Sequence, residues 1–111
     1  MYENIKDQPM DLNYAIKEML NVESDAEYEK QAKRYSLEGV IENVKCPLLI
    51  VHGEADPMTP LWNANKMYNG AKCEKTLKVF KLGEPGAGHC THDAPSIVFP
   101  MIYDWLYDKL K

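Results

Sequence analysis

The chain has 111 residues, 45% of them hydrophobic and 27% charged, a balance that suits one folded domain and excludes wholesale disorder. Its formal charge of −4 is spread over interleaved acidic and basic residues with no basic block, which argues against a nucleic-acid partner. No apolar run approaches the ~18 residues of a membrane span; the start, Met1 to Asp7, lacks the pattern of a signal peptide; and irregularly spaced Cys46, Cys73 and Cys90 form no disulfide framework, so no membrane association and a cytoplasmic location with reduced thiols are expected.

Residues 11–20 place Leu12, Ile16, Met19 and Leu20 on one helical face. Ser24-Asp25-Ala26-Glu27 reads as a capping box, in which the serine hydroxyl accepts from the Glu27 amide while the glutamate reaches back. Tyr28, Ala32 and Tyr35 continue that second helix at i, i+4 and i+7. Both stretches are amphipathic without being strongly apolar, so residues 1–43 are expected to form a helical cap-like segment. Residues 36–40 form a turn or a short helix.

Residues 44–111 carry a different pattern. Leu48-Leu49-Ile50-Val51 is a continuous apolar run of strand length, as in a parallel strand covered on both faces, with Pro47 tolerable at its start. The polar loop 52–57 follows. Thr59 as N-cap and Pro60 as first helical residue predict a helix that stops near Asn69-Gly70. Residues 76–82 form a second strand whose lysines place it nearer a sheet edge. The glycine-rich loop 83–88 ends at His89. A last helix runs through Met101, Ile102, Trp105, Leu106 and Leu110, with Pro100 expected near its first turn. Strand, helix and strand at this spacing imply a right-handed crossover between parallel strands. Functional groups in such sheets collect in the loops beyond the strands' C-terminal ends, where Asp56 and His89 both stand.

On the residues alone, Asp56 reads as an Asx turn before Pro57 and His89 as a turn histidine. His52 is read as ordering its loop by bonding backbone near Glu54, and Asp93 as a cap for the helix after Ala94-Pro95. His92 and Asp93 form a second base and acid only as a minor alternative. A Cys90 thiol nucleophile is disfavoured because neighbours in an extended loop point apart. His52, His89, Cys90 and His92 fit no standard zinc spacing. Tyr28, Tyr35, Trp62 and Trp105 are read as packing residues.

The stretches CPLLIVHGEADPMTP (Cys46 to Pro60) and GAGHC (Gly86 to Cys90), with DWL (Asp104 to Leu106) in the last helix, resemble the α/β-hydrolase superfamily. The resemblance implies an α/β fold, with residues 44–111 as its C-terminal strand–helix–strand–helix part. It also implies that Asp56 is the acid and His89 the base of a Ser-His-Asp triad, with no cofactor and no metal. SLEGVIENVKCPLLIVHGEAD together with GHCTHD further resembles the branch of pseudooxynicotine-type C–C bond hydrolases and polyketide-shortening hydrolases.

The nucleophile departs from the pattern. Ser24, Ser36 and Ser96 are the serines, and none lies in a G-x-S-x-G elbow. The expectation is a late, truncated portion of the fold that supplies acid and histidine for ester, amide or C–C bond hydrolysis. It would act on a small-molecule substrate once an N-terminal half completes it, and alone it is expected to be inactive. The competing expectation is a non-catalytic interaction module that self-associates as a homodimer through the exposed edge of its first strand.

Overall fold

The computed structural model describes residues 10–111, with side chains from Asn13 onward. Residues 1–9 of the expected cap segment and the Leu12 side chain lie outside the described residues. Helix α1 (Met10–Leu20) closes on Asn21, whose φ of 52° is the left-handed conformation that terminates helices. The predicted apolar face is only partly covered. Ile16 and Leu20 are half-buried, whereas Met19 is exposed.

Helix α2 (Asp25–Ala32) starts as predicted. The Glu27 amide donates to Ser24 Oγ at 3.2 Å, and Ser24 N–H donates back to Glu27 Oε2 at 3.3 Å. The box satisfies two amides that the first turn leaves without intrahelical partners. Tyr28 is buried on this helix, but Tyr35, in the short 3-10 turn that follows, is exposed and packs against little. Among the other aromatic residues read as packing, Trp105 is half-buried and Trp62 is exposed.

Strand β1 (Leu48–Gly53) outlasts the apolar run by two residues, His52 and Gly53. It pairs in parallel with β2 (Lys75–Phe80), in register from Leu48 opposite Lys75 to Gly53 opposite Phe80. Between them runs α3 (Leu61–Gly70), which stops at the predicted glycine. Side chains alternate across a strand, so the two sheet faces take different partners. On one face the Lys75 ammonium reaches the Tyr68 and Ala71 carbonyls at the end of α3, at 2.6 and 2.8 Å. On the other, Trp105 Nε1 of α4 (Pro95–Leu110) donates to Thr76 Oγ1 at 3.2 Å.

The sheet thus lies between α3 and α4, an α/β sandwich of parallel strands. Its core is Phe80, Ala94 and Val98, with Val51, Met101 and Ile102 packed around them. Val98, 1% exposed, is the most enclosed large side chain of this cluster.

The starts of two helices differ in detail from expectation. Helix α4 begins at Pro95, and Pro100, expected near the first turn, lies farther inside and removes one backbone donor. Pro95, already at the helix start with φ preset, is the cheaper place to begin. Helix α3 has Pro60 as its N-cap in place of Thr59, and so no side-chain cap, while the Thr59 amide donates to Asp56. Helix α4 likewise has no side-chain cap. Its expected cap, Asp93, accepts instead from the Gly86 and Gly88 amides at 2.8 and 3.1 Å and closes the loop between them. Among the described residues no helix is long and apolar enough to cross a membrane.

Candidate active site

The loops after β1 and β2 are tied together at the same end of the sheet. Glu54 N–H donates to the Phe80 carbonyl at 2.8 Å, and Ala55 N–H to the Ala87 carbonyl at 2.9 Å. Leu82 N–H donates to Glu54 Oε2 at 2.7 Å. The crossing is so close that a Cβ on Gly53 would stand 2.2 Å from the Ala87 carbonyl oxygen and 2.4 Å from that of Gly88. Gly86 is required twice over: its φ is +96°, and a Cβ there would meet the Phe80 ring at 2.9 Å.

This clamp brings Asp56 and His89 together across 33 positions of sequence, with His89 Nδ1 at 2.9 Å from Asp56 Oδ2 and 3.0 Å from Oδ1. The Asp56 side chain is 5% exposed and that of His89 33%. Asp56 Oδ1 also accepts from the Met58 and Thr59 amides at 2.8 and 2.9 Å. The Asx-turn reading and the histidine-partner reading of Asp56 are therefore both met, by one carboxylate. Burial pushes the Asp56 carboxyl up, but the Thr59 amide, the His89 imidazole and the Met58 amide together hold it below the ordinary aspartate range. An ionised carboxylate only accepts, so Nδ1 carries the imidazole proton and Nε2 presents its lone pair.

The acid dependence of folding follows in sign. A carboxyl held below its unfolded value of about 3.9 contributes stability that is present above that pH and lost as pH falls through the folded value. Thermal melts are expected to hold steady from neutral pH to mild acid and to fall below about pH 4. Asp56→Asn should flatten that fall. It should not abolish it, because Asp93 and Glu27 are also held low, the first mainly by the Gly86 amide and the second mainly by the Glu23 amide.

His89 and Thr91 bound a 3-10 turn that is not extended. Cys90 and Thr91 have φ of 53° and 54°, consecutive left-handed residues without a glycine. Such a conformation costs about 1–3 kcal/mol per residue and has to be held from outside. The Thr91 amide on the Gly88 carbonyl (3.0 Å), the Thr91 hydroxyl on the Cys90 carbonyl (2.6 Å) and His92 Nδ1 on the His89 carbonyl hold it. The turn swings Cys90 Sγ to 3.2 Å from His89 Nε2, the nitrogen that would receive a nucleophile's proton. The expectation that Cys90 and His89 point apart presumed an extended backbone and fails for that reason.

The serines stand elsewhere. Ser24 and Ser36 bond amides of the cap segment, and Ser96 is exposed in the first turn of α4. His92 is exposed, and its Nδ1 faces the His89 carbonyl. His52 is 9% exposed on β1, with its Nε2 buried and unpartnered, so this ring nitrogen does not order the loop as expected. A buried polar atom left unsatisfied costs about 1–3 kcal/mol, so His52→Leu is expected to raise the melting temperature. A lowered value would show that the ring holds the loop after all. Among the described residues no group of His, Cys, Asp or Glu could hold a metal ion.

One feature of the site escaped the sequence reading: Gly53 is a glycine at the end of a strand, a recognised mark of close backbone approach.

The lysophosphatidylserine lipases ABHD12 of Rattus norvegicus and Mus musculus are each 38% identical to this chain over 42 residues, which is 38% of the chain and 11% of the length of each lipase. The chain thus matches only a small part of these relatives, and no solved structure matches it significantly. Both lipases are α/β-hydrolases, in keeping with the parallel strands and crossover helix; the narrower branch suggested by the HC-x-H stretch is not among these matches. The profile of the prolyl oligopeptidase family matches residues 1–111, and the chain belongs to that family, within the α/β-hydrolase superfamily.

Proposed function

We propose that this chain supplies the acid and the base of a serine-type hydrolase, with Asp56 orienting His89 and His89 moving the proton, while the serine stands outside these residues. The observation that carries the reading is the buried Asp56 carboxylate on His89 Nδ1 at 2.9 Å, which puts the ring proton on Nδ1 and the basic lone pair on Nε2. A peptidase family and a lipase relative share acyl transfer through a serine ester, which supports ester or amide hydrolysis of a small-molecule substrate; C–C bond hydrolysis is the same chemistry with a carbon leaving group.

Two features support docking of a serine-bearing portion. Among the described residues β1 pairs with β2 alone, so its other edge is open. Phe99, Tyr103, Leu106 and Leu110 form an exposed apolar stripe on α4, off the face that packs on the sheet. Residues 1–43 would act as a cap over the assembled site.

The test is hydrolysis of a short-chain p-nitrophenyl ester by the chain alone and after assembly with an α/β-hydrolase N-terminal half carrying the serine elbow. Turnover is expected only in the assembly, with a loss of about three orders of magnitude or more in His89→Ala. Undiminished turnover in that variant would overturn the reading.

A second reading is favoured by the same open edge and stripe. Two copies could pair through β1, giving a self-associating module without catalysis. Light scattering that shows a monomer at high concentration would exclude it.

A further inference from the structure

The imidazole nitrogen that a triad nucleophile must reach already has a partner on this chain. Cys90 Sγ lies 3.2 Å from His89 Nε2, while Asp56 takes Nδ1 at 2.9 Å. An exposed thiol, an imidazole and a buried carboxylate stand in the order nucleophile, base and orienter. Such constellations are recognised by geometry and roles, and two members can be neighbours in sequence when the backbone turns sharply between them. Here the left-handed Cys90 and Thr91 provide that turn. Cys46 is also exposed, yet neither it nor Cys73 has a histidine as hydrogen-bond partner among the described residues.

We infer that Cys90 is a nucleophilic thiol that accepts acyl groups from activated carboxylic esters, with His89 as its base and Asp56 as the residue that positions the base. The Cys90 S–H proton passes to His89 Nε2 as sulfur bonds to the ester carbonyl carbon. The ester C–O bond then breaks, and the proton leaves Nε2 for the departing alkoxide or phenoxide. The products are S-acyl Cys90 and a free alcohol or phenol, with no oxidant, metal or further reactant. The step needs no serine, so it stands or fails independently of the off-chain nucleophile.

The experiment treats the whole chain with p-nitrophenyl acetate and follows acetylation of Cys90 and Cys46 by peptide mass mapping. Cys46 is the internal control, an exposed thiol in the same molecule. A positioned general base contributes about 10²–10⁴ in rate, so in the native protein Cys90 is expected to acetylate at least about tenfold faster than Cys46. In urea the two rates should converge. His89→Gln should bring Cys90 to the Cys46 rate, and Asp56→Asn, which moves the ring proton to Nε2, should do nearly the same. Equal rates in the native wild type would overturn the inference without recourse to any variant. A Cys90 advantage that survives in His89→Gln would overturn the role of the imidazole.

Discussion

Asp56→Asn is expected to lower kcat of the assembled hydrolase by about four orders of magnitude, the loss found when a triad carboxylate becomes an amide, with little change in KM. The reason lies in which oxygen does what. Asp56 Oδ1 is committed to the Met58 and Thr59 amides at 2.8 and 2.9 Å, and only an acceptor can occupy that place. An asparagine would therefore put its carbonyl oxygen there and turn its NH2 toward His89 Nδ1, where Oδ2 now sits at 2.9 Å. A donor facing Nδ1 forces the imidazole proton to Nε2, and the base presents a proton where it should present a lone pair. The loop itself should survive, because both backbone bonds are kept. Nitrogen NMR of the isolated chain reads the tautomer directly, without any serine. An Nδ1-protonated ring in Asp56→Asn, or a kcat within about tenfold of wild type, would refute the argument.

Gly53→Ala is expected to give the largest loss of stability of any single methyl added near the site. The new Cβ would stand 2.2 Å from the Ala87 oxygen and 2.5 Å from the Ala87 carbonyl carbon, both of them backbone and unable to swing aside. Overpacking ordinarily costs about 1–3 kcal/mol, and here relief requires the two loops to part. Parting them stretches the Ala55 to Ala87 hydrogen bond, now 2.9 Å, and with it the Asp56–His89 contact. The variant should melt lower, and its Cys90 and Cys46 should acetylate at similar rates. Chemical denaturation measures the first effect and mass mapping the second. Wild-type stability would mean that the crossing is looser than the glycine implies.

How much of this was legible in advance differs by element. The apolar run at residues 48–51 marked β1, and Ser24 with Glu27 marked the start of α2, because one signal is carried by residue type and the other by a pair three positions apart. The positions of Asp56 and His89 were legible too, since strand–helix–strand order puts the following loops at one end of a parallel sheet. The exposure of Met19, the shift of the α3 cap from Thr59 to Pro60 and the partners of Asp93 were not. Each depended on something residue type does not fix: tertiary packing for Met19, the backbone at Pro60 for α3, and the Gly86 and Gly88 amides for Asp93.

The sequence by itself determined the α/β order and the superfamily, and it put Asp56 and His89 in the loops beyond the ends of the two strands. Only the tertiary structure decided that Asp56 serves two backbone amides as well as His89, that Asp93 closes a loop instead of capping a helix, and that Cys90 faces Nε2. The physical reason is common to all three. Local residue type sets which groups can donate, accept or react, but which partner each one meets depends on backbone dihedrals and loop crossings. At this site those are fixed by the left-handed turn at Cys90 and by the absence of a side chain at Gly53.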